Sequence, residues 1–283
     1  MPGQLYLVSL PIGNLEDITI RAIRTLRSAD AIVAEDTRTT RRVLDRYAIR
    51  TTFFSSIYQG AERGRIELIL DQLRDGKNLA LVSDAGTPLI SDPGFPLVRA
   101  AIDAGITVSP IPGPSALLAG LVGSGLPPDR FSFGGSLPRK VGDRRARIAE
   151  LEPEEQTTVF YESPHRLQET LAIIDELLPD RPMVLARELT KLHETFVRGT
   201  AGNLVKAIGA VDRVRGECVL LIGGASEPQE ANLAPQAIKI LALLKDTSLP
   251  KRTLVDLLVI ALGMKPNEAY RFVHEQGATD DAA

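Results

Sequence analysis

The chain has 283 residues, 44% of them hydrophobic and 24% charged, with a formal net charge of −3. That composition suits a globular protein with room for two domains and perhaps a small third piece, and any contact with nucleic acid must come from a local basic face. Its one cysteine and three scattered histidines exclude an intrachain disulfide and argue against a zinc cluster.

In chain order, Leu5–Leu10 reads as a strand. Ile18–Ala29 repeats apolar residues at helical spacing through Ile18, Ala22, Ile23 and Leu26. Ala31–Ala34 is a second apolar run, followed by a helix from about Thr39 to Tyr47. Ala61–Arg74 is a helix with Ile66, Ile69, Leu70 and Leu73 on one face. Leu79–Val82 is a strand, Gly94–Ala104 a helix and Thr107–Ile111 a strand. Strands that alternate with helices predict a largely parallel sheet covered on both faces.

Pro110-Ile-Pro-Gly-Pro114 breaks regular structure, because proline fixes φ and lacks an amide hydrogen. A domain boundary is expected there, giving domains 1–113 and 114–225. The second opens with a helix, Ser115–Gly123, with Ser115 as its expected cap. Strands follow at Phe131–Phe133, Thr157–Tyr161, Met183–Ala186, Thr195–Arg198 and Cys218–Ile222, with the clearest helix at Pro164–Leu178. Several of these strands lie close in sequence, so this second sheet is expected to be mixed. After a polar linker, Pro235–Lys245, Lys251–Leu262 and Pro266–Glu275 predict a small helical domain over 233–276. Gly277–Ala283 is expected to be disordered. The N-terminus has no signal-peptide pattern and no stretch reaches the roughly 20 apolar residues of a membrane helix, so a cytoplasmic protein is expected.

Neither a Gly-x-Gly-x-x-Gly turn nor a phosphate-binding P-loop is present, which removes support for ordinary dinucleotide binding and nucleotide hydrolysis. What stands instead is a series of small-residue and proline-rich loops, each after a strand, where open α/β sheets bind ligands. The loops are Pro11–Asn14, Glu35–Arg38, Ser83–Gly94, Pro112–Ala116, Tyr161–Arg166 and Ala186–Lys191. Small residues let a backbone approach a ligand closely. Each loop also has an ordinary explanation: Asp84 as the closer of an Asx-turn, Pro-Gly-Pro-Ser as a turn and cap.

The stretches Leu-Pro-Ile-Gly-Asn-Leu-Glu-Asp-Ile-Thr, Ala-Glu-Asp-Thr-Arg, Val-Ser-Asp-Ala-Gly-Thr-Pro-Leu-Ile-Ser-Asp-Pro-Gly, Pro-Gly-Pro-Ser-Ala, Phe-Tyr-Glu-Ser-Pro-His-Arg and Ala-Arg-Glu-Leu-Thr-Lys occur in that order. Together they resemble the bacterial ribosomal RNA small subunit methyltransferase I family, within the tetrapyrrole-methylase superfamily. The resemblance spans about residues 3–224, and the helical tail more loosely. It implies a two-domain α/β fold of the tetrapyrrole-methylase (class III methyltransferase) type with a small C-terminal helical appendage. It also implies S-adenosyl-L-methionine bound between the domains, a homodimer, and methylation of the ribose 2′-hydroxyl of a cytidine in 16S rRNA. By position, the implied cofactor residues are Pro11, Asp84, Ala85, Gly86, Ile90, Ser91, Ser115, Ala116, Tyr161, Ala186, Gly216 and Cys218. One departure is present: family members carry a histidine-containing stretch near 57–62, where this chain reads Ile57-Tyr-Gln-Gly-Ala-Glu62, so no histidine base comes from there.

A methyl sulfonium needs no metal, and none is expected; a ribose hydroxyl needs a proton acceptor. Candidates are Glu35 and Asp36 on one loop, and Lys191, with His193 and Glu194, on another. The plainer reading gives Asp36 a helix-capping role and makes Lys191 and Glu194 a surface pair. Arg38 and Arg166 are the preferred substrate contacts. Arg38, Arg41, Arg42 and Arg46, and a second cluster of Arg139, Lys140, Arg144, Arg145 and Arg147, are candidate phosphate contacts, or otherwise solvated faces. Lys251-Arg252-Thr253 and Lys265–Tyr270 in the tail fit a helix-turn-helix contact to RNA or a packing module. A tetrapyrrole C-methyltransferase and a non-catalytic RNA-binding assembly factor are the competing readings, since one fold hosts many functions.

Overall fold

The computed structural model describes residues 1–56, 63–209, 216–225, 239–240, 249–262, 264 and 266–278. The chain divides into two units, Met1–Gly224 and Ala225–Ala283. The stretch 57–62, and with it the missing histidine, lies outside the described residues, as do most of the helix expected at Pro235–Lys245 and residues 279–283; of the tail expected to be disordered, Gly277 and Ala278 instead end a helix.

The first unit contains two five-stranded sheets. Strands β1 (Gln4–Val8), β2 (Ala31–Ala34), β3 (Phe53–Ser56), β4 (Leu79–Val82) and β5 (Thr107–Ile111) lie in the order β3-β2-β4-β1-β5, all parallel. Their helices are α1 (Ile20–Ser28), α2 (Thr37–Arg46), α3 (Arg63–Arg74) and α4 (Phe95–Asp103). Strand alternation sorts the core into two layers. Ile32, Ala80 and Val82 pack with Ala22 and Leu26 of α1 and Val43 and Leu44 of α2. Val33, Leu79 and Leu81 pack on the other face with Ile69 and Leu73 of α3 and Leu97 and Ala101 of α4. Pro110 does not end β5, because β5 is an edge strand where a missing amide donor is tolerated.

The second sheet has the order β6-β7-β10-β8-β9 and is mixed, as expected. Its strands are β6 (Phe131–Ser136), β7 (Thr157–Glu162), β8 (Met183–Arg187), β9 (Thr195–Gly199) and β10 (Cys218–Ile222). Only β6 and β7 pair in parallel. Helices α6 (Val141–Ala149), α7 (Leu167–Leu177) and α8 (Ala201–Gly209) cover one face through Ile148, Leu171, Ile174 and Leu204. Helix α5 (Ala116–Ser124) covers the other, where Leu121 meets Val159, Val184 and Leu221, and Ile12 of the first half joins them. All strands of the first sheet precede residue 113 and all those of the second follow it, yet both sheets belong to one unit.

In the second unit, α9 (Lys251–Leu262) and α10 (Pro266–Ala278) pack around Leu258, Met264, Ala269 and Val273. Among the described residues, no helix is long and apolar enough to cross a membrane.

Three expectations need correction. Helix α2 starts at Thr37 and not near Thr39, because Asp36 caps it: its carboxylate accepts from the Arg38 amide at 2.8 Å. Ser115 occupies the cap position of α5 but makes no side-chain capping bond; only its carbonyl enters the helix, accepting from the Ala119 amide. Residues 141–149, read as a basic surface cluster, form α6. Arg144 is fully buried there, paired with Glu169, while Arg145 pairs with Glu176 at 2.5 Å and Arg147 with Glu150 at 2.7 Å. Three of the five cations in that cluster therefore already have internal partners; Arg139 and Lys140 remain exposed.

Candidate functional site: an acidic cleft

The loops at the carboxyl ends of β2 and β4 meet the ends of β6, β7 and β10 around a cleft of about 500 Å³. That volume falls within the roughly 300–1,000 Å³ of small-molecule sites. Of the residues implied for a cofactor, Asp84, Ala85, Gly86, Ile90, Ser91, Ser115, Ala116, Tyr161, Gly216 and Cys218 line it. Pro11 and Ala186 do not; both are buried behind the wall, and their places are taken by Ile12 and by Val219, the strand partner of Ala186. Thr87, Asp92, Ser136, Glu162 and Ser163 also line the cleft and were not singled out from sequence, and Glu217 lines it with its expected neighbours Gly216 and Cys218. Asp92 stood inside the quoted Ser83–Gly94 loop and Glu162 inside Tyr161–Arg166, so their motifs pointed to them although their roles were not visible.

The Ser83–Gly94 loop is fixed from two sides. Leu10 and Gly86 exchange two backbone hydrogen bonds, each 2.9 Å, so the polar backbone groups of Gly86 are already engaged. The φ of +70° at Gly86 suits glycine. The Asp84 carboxylate does not close an Asx-turn. Its Oδ1 accepts from the Asp36 amide at 3.0 Å, while the Asp84 amide donates to Glu35 Oε2 at 3.3 Å. The two loops are thus cross-braced, and the brace aims Glu35 and Asp84 into the cleft. Four of the five non-glycine residues with positive φ, namely Leu89, Ser91, Glu188 and Thr190, sit in two loops beside the site. Such conformations cost of order 1 kcal/mol or more each and persist where surrounding contacts impose them.

The second wall is more heavily bonded. Glu162 is fully buried, paired with Arg166 at 2.6 Å, and accepts from Thr170 Oγ1 at 2.8 Å and the Ser163 amide at 2.6 Å. Arg166 also donates to the Leu137 carbonyl at 3.1 Å, so it lines the cleft and ties the ends of β6 and β7 together. The Tyr161 hydroxyl accepts from the Leu117 amide at 3.2 Å, and its ring meets Phe133 edge-on.

The three proton-acceptor candidates, Glu35, Asp36 and Lys191, separate. Glu35 lines the cleft; Asp36 and Lys191 do not. Asp36 caps α2 and pairs with Arg38 at 2.6 Å, and that guanidinium holds its carboxyl down at about 2. Lys191 bonds Glu188 at 3.0 Å and Glu217 at 3.4 Å. Burial alone would depress its ammonium, but these carboxylates outweigh it and raise the group, so it stays protonated. Glu194 accepts from the Thr190 amide at 2.7 Å and holds its own loop, and His193 is exposed. Burial pushes the Cys218 thiol up to about 11, which rules it out as a thiolate nucleophile.

Burial, opposed by the Asp84 amide, raises Glu35 above the usual carboxylate range. Burial likewise raises Asp84 against the Asp36 amide, and Asp92 against the Ser83 hydroxyl beside it. The neighbouring carboxylates push in the same direction. Among the described residues, no cation lies within ion-pair distance of these three, and no group of acidic, histidine or cysteine side chains is arranged to hold a metal ion. A wall of partly buried carboxylates without ion-pair partners favours a cationic organic ligand.

Residues 4–205 match the family model of the tetrapyrrole (corrin/porphyrin) methylases, the class that this pair of sheets and its cleft define. Among solved structures, uroporphyrin-III C-methyltransferase from Thermus thermophilus in complex with S-adenosyl homocysteine shares the fold, with a TM-score of 0.53 at 21% identity over 78% of this chain and 97% of that one. The methyltransferase CobJ does so with a TM-score of 0.59 at 21% identity, over 79% and 95% of the two chains. Sequence relatives are nearer. Ribosomal RNA small subunit methyltransferase I of Pasteurella multocida is 43% identical over 96% of this chain and 97% of its own. Its namesake in Escherichia coli O157:H7 is 44% identical over 97% and 96%. The chain belongs to the ribosomal RNA small subunit methyltransferase I family.

Proposed function

We propose that this protein is an S-adenosyl-L-methionine-dependent methyltransferase that methylates the ribose 2′-hydroxyl of a cytidine in 16S rRNA, acting on the small ribosomal subunit in the cytoplasm as a homodimer. The observation that carries the reading is the acidic cleft: ten of the residues implied for the cofactor line it, and its unpaired carboxylates suit a ligand with a sulfonium and an ammonium group. Family membership supplies the rRNA substrate class.

When bound, S-adenosyl-L-methionine supplies an activated methyl group, so no metal is required. The chain's contribution is alignment and charge. The cross-braced Ser83–Gly94 loop supplies Asp84 and the Ala85–Ser91 backbone as one wall, and Ser115, Ala116 and Tyr161 supply another. Holding donor and nucleophile in line lowers the barrier by up to about 7–11 kcal/mol in well-oriented systems. Glu35 and Asp92 are the carboxylates within the cleft able to take a hydroxyl proton. RNA phosphates are repelled by this wall, so the strand must be gripped at the rim, where Arg38, Arg41 and Arg42 are exposed on α2 and Arg139 and Lys140 follow β6.

The test offers labelled S-adenosyl-L-methionine to the purified protein with three acceptors: small subunits lacking the modification, naked 16S rRNA and a reduced tetrapyrrole. Label on the subunit is the expected result. Label on the tetrapyrrole alone would establish the competing C-methyltransferase, and no cofactor binding at all would leave only an assembly factor.

A further inference from the structure

We infer that Glu35, Asp84 and Asp92 act together as a charge-reading wall, which favours the cationic methyl donor over its neutral product and passes the substrate's hydroxyl proton to Asp92. The inference rests on the cofactor reading above and names how that site separates donor from product.

The geometry sets these three groups apart from every other ion around the cleft. At the end of β2, Asp36 is paired with Arg38, which reaches Asp84 only as a distant charge. On the facing wall, Glu162 is paired with Arg166, and Glu217 with Lys191. The Tyr161 phenol and Cys218 thiol, both raised by burial, are neutral at pH 7. Glu35 and Asp84 each accept one backbone amide, which fixes their direction without neutralising them. Asp92 lines the same cleft, and the Ser83 hydroxyl beside it already gives its proton to the Ala85 carbonyl at 3.1 Å. Asp92 therefore has the least to lose by accepting a proton.

The chemistry balances around this set. A sulfonium donor carries a net charge of about +1 near neutral pH, and the thioether left after transfer carries about zero. In the reaction the sulfur–methyl bond breaks with its electron pair staying on sulfur, the oxygen–methyl bond forms, and the oxygen–hydrogen bond breaks. With the proton on Asp92, the charge inside the cleft is the same before and after. The carboxylates also become stronger bases as the cation beside them disappears, since an opposite charge within a few ångströms is what holds such groups ionised. Proton uptake is thereby timed to methyl loss, and the product is left facing a wall that no longer attracts it.

The test is isothermal titration of the full-length protein with S-adenosyl-L-methionine and, separately, with S-adenosyl-L-homocysteine. Each is measured at pH 7 and pH 5, in two buffers of different ionisation heat. The donor should bind more tightly than the product at pH 7, and that preference should shrink by roughly tenfold as the pH is lowered toward 5 and the wall takes up protons. Product binding should take up more protons than donor binding. Asp92→Asn, checked for a single cooperative melting transition, should flatten the pH dependence; Glu35→Gln provides a second variant if the first does not fold. A donor-to-product preference that is equal at both pH values, or equal proton uptake, would overturn the inference while leaving the cofactor site intact. Failure of both ligands to bind would overturn the cofactor reading, and this inference with it.

Discussion

Asp84 is held from behind before any ligand arrives: one carboxylate oxygen takes the Asp36 amide, and its own amide gives to Glu35. Asp84→Ala should therefore weaken S-adenosyl-L-methionine about 10- to 100-fold, the range for losing a bond to a charged group. Unchanged binding with lost turnover would show that Asp84 serves the chemistry and not the cofactor. The carboxylate wall also has a stability consequence. Glu35, Asp84 and Asp92 are raised in the folded state, so that state binds their protons more tightly than the unfolded chain does. Their contribution is most favourable at low pH and is lost as pH rises through the raised values. In the ligand-free protein, Asp92→Asn should then raise the melting temperature at pH 7 by roughly 2 °C, a small gain because the group is half-exposed and screened. At pH 4 the gain should vanish. A lower melting temperature at pH 7 would mean that the carboxylate stabilises the fold in some other way.

At the scale of elements, α6 is where sequence reasoning was most misled. Its arginines looked like a solvated basic face, but Arg144 points inward and is wholly buried, with Nε unpaired. A charge aimed into the core breaks the helical hydrophobic pattern, so neither the helix nor its packing face was legible. Replacing that ion pair with a well-shaped apolar side chain should be nearly neutral, whereas Arg144→Ala should cost about 3 kcal/mol through the cavity and the lost partner; chemical denaturation of the Arg144→Met and Arg144→Ala variants measures both. The edge strand β3 was missed for a different reason: Phe-Phe-Ser-Ser has no alternation, and only one of its sides is paired. The buried strands β2, β4, β8 and β10 were legible because they are nearly continuous apolar runs. The cleft loops were legible as motifs, but not their wiring. The capping role of Asp36 was legible because it is local, but that Pro11 and Ala186 sit behind the wall, or that Glu35 is braced into the cleft by Asp84, depends on contacts between positions about 50 or more residues apart. Gly216 also depends on a contact outside its own loop: with φ +86°, any Cβ there would collide with the Glu188 carboxylate, which receives the Glu217 amide at 3.2 Å and binds Lys191. Gly216→Ala should displace Glu188 and weaken cofactor binding several-fold, read by the same titration.

Across the whole molecule, charge is divided by task. The net charge is −3, the cleft wall is acidic, and positive charge collects on α2 and beside β6. Arg41→Ala combined with Arg42→Ala should weaken subunit binding at low salt and lower the salt-dependence slope by about 2, since each phosphate contact contributes about 1. Arg145→Ala should change neither, because that guanidinium is bound to Glu176. The central claim, that this cleft delivers a methyl group to a cytidine ribose, is tested most directly by mass spectrometry of nucleosides. Small subunits lacking the modification are incubated with the protein and methyl-labelled S-adenosyl-L-methionine, and their 16S rRNA is digested. Labelled 2′-O-methylcytidine, abundant with the native chain and strongly reduced with Asp84→Ala, is the predicted result. Label on a base, or on no nucleoside at all, would contradict it.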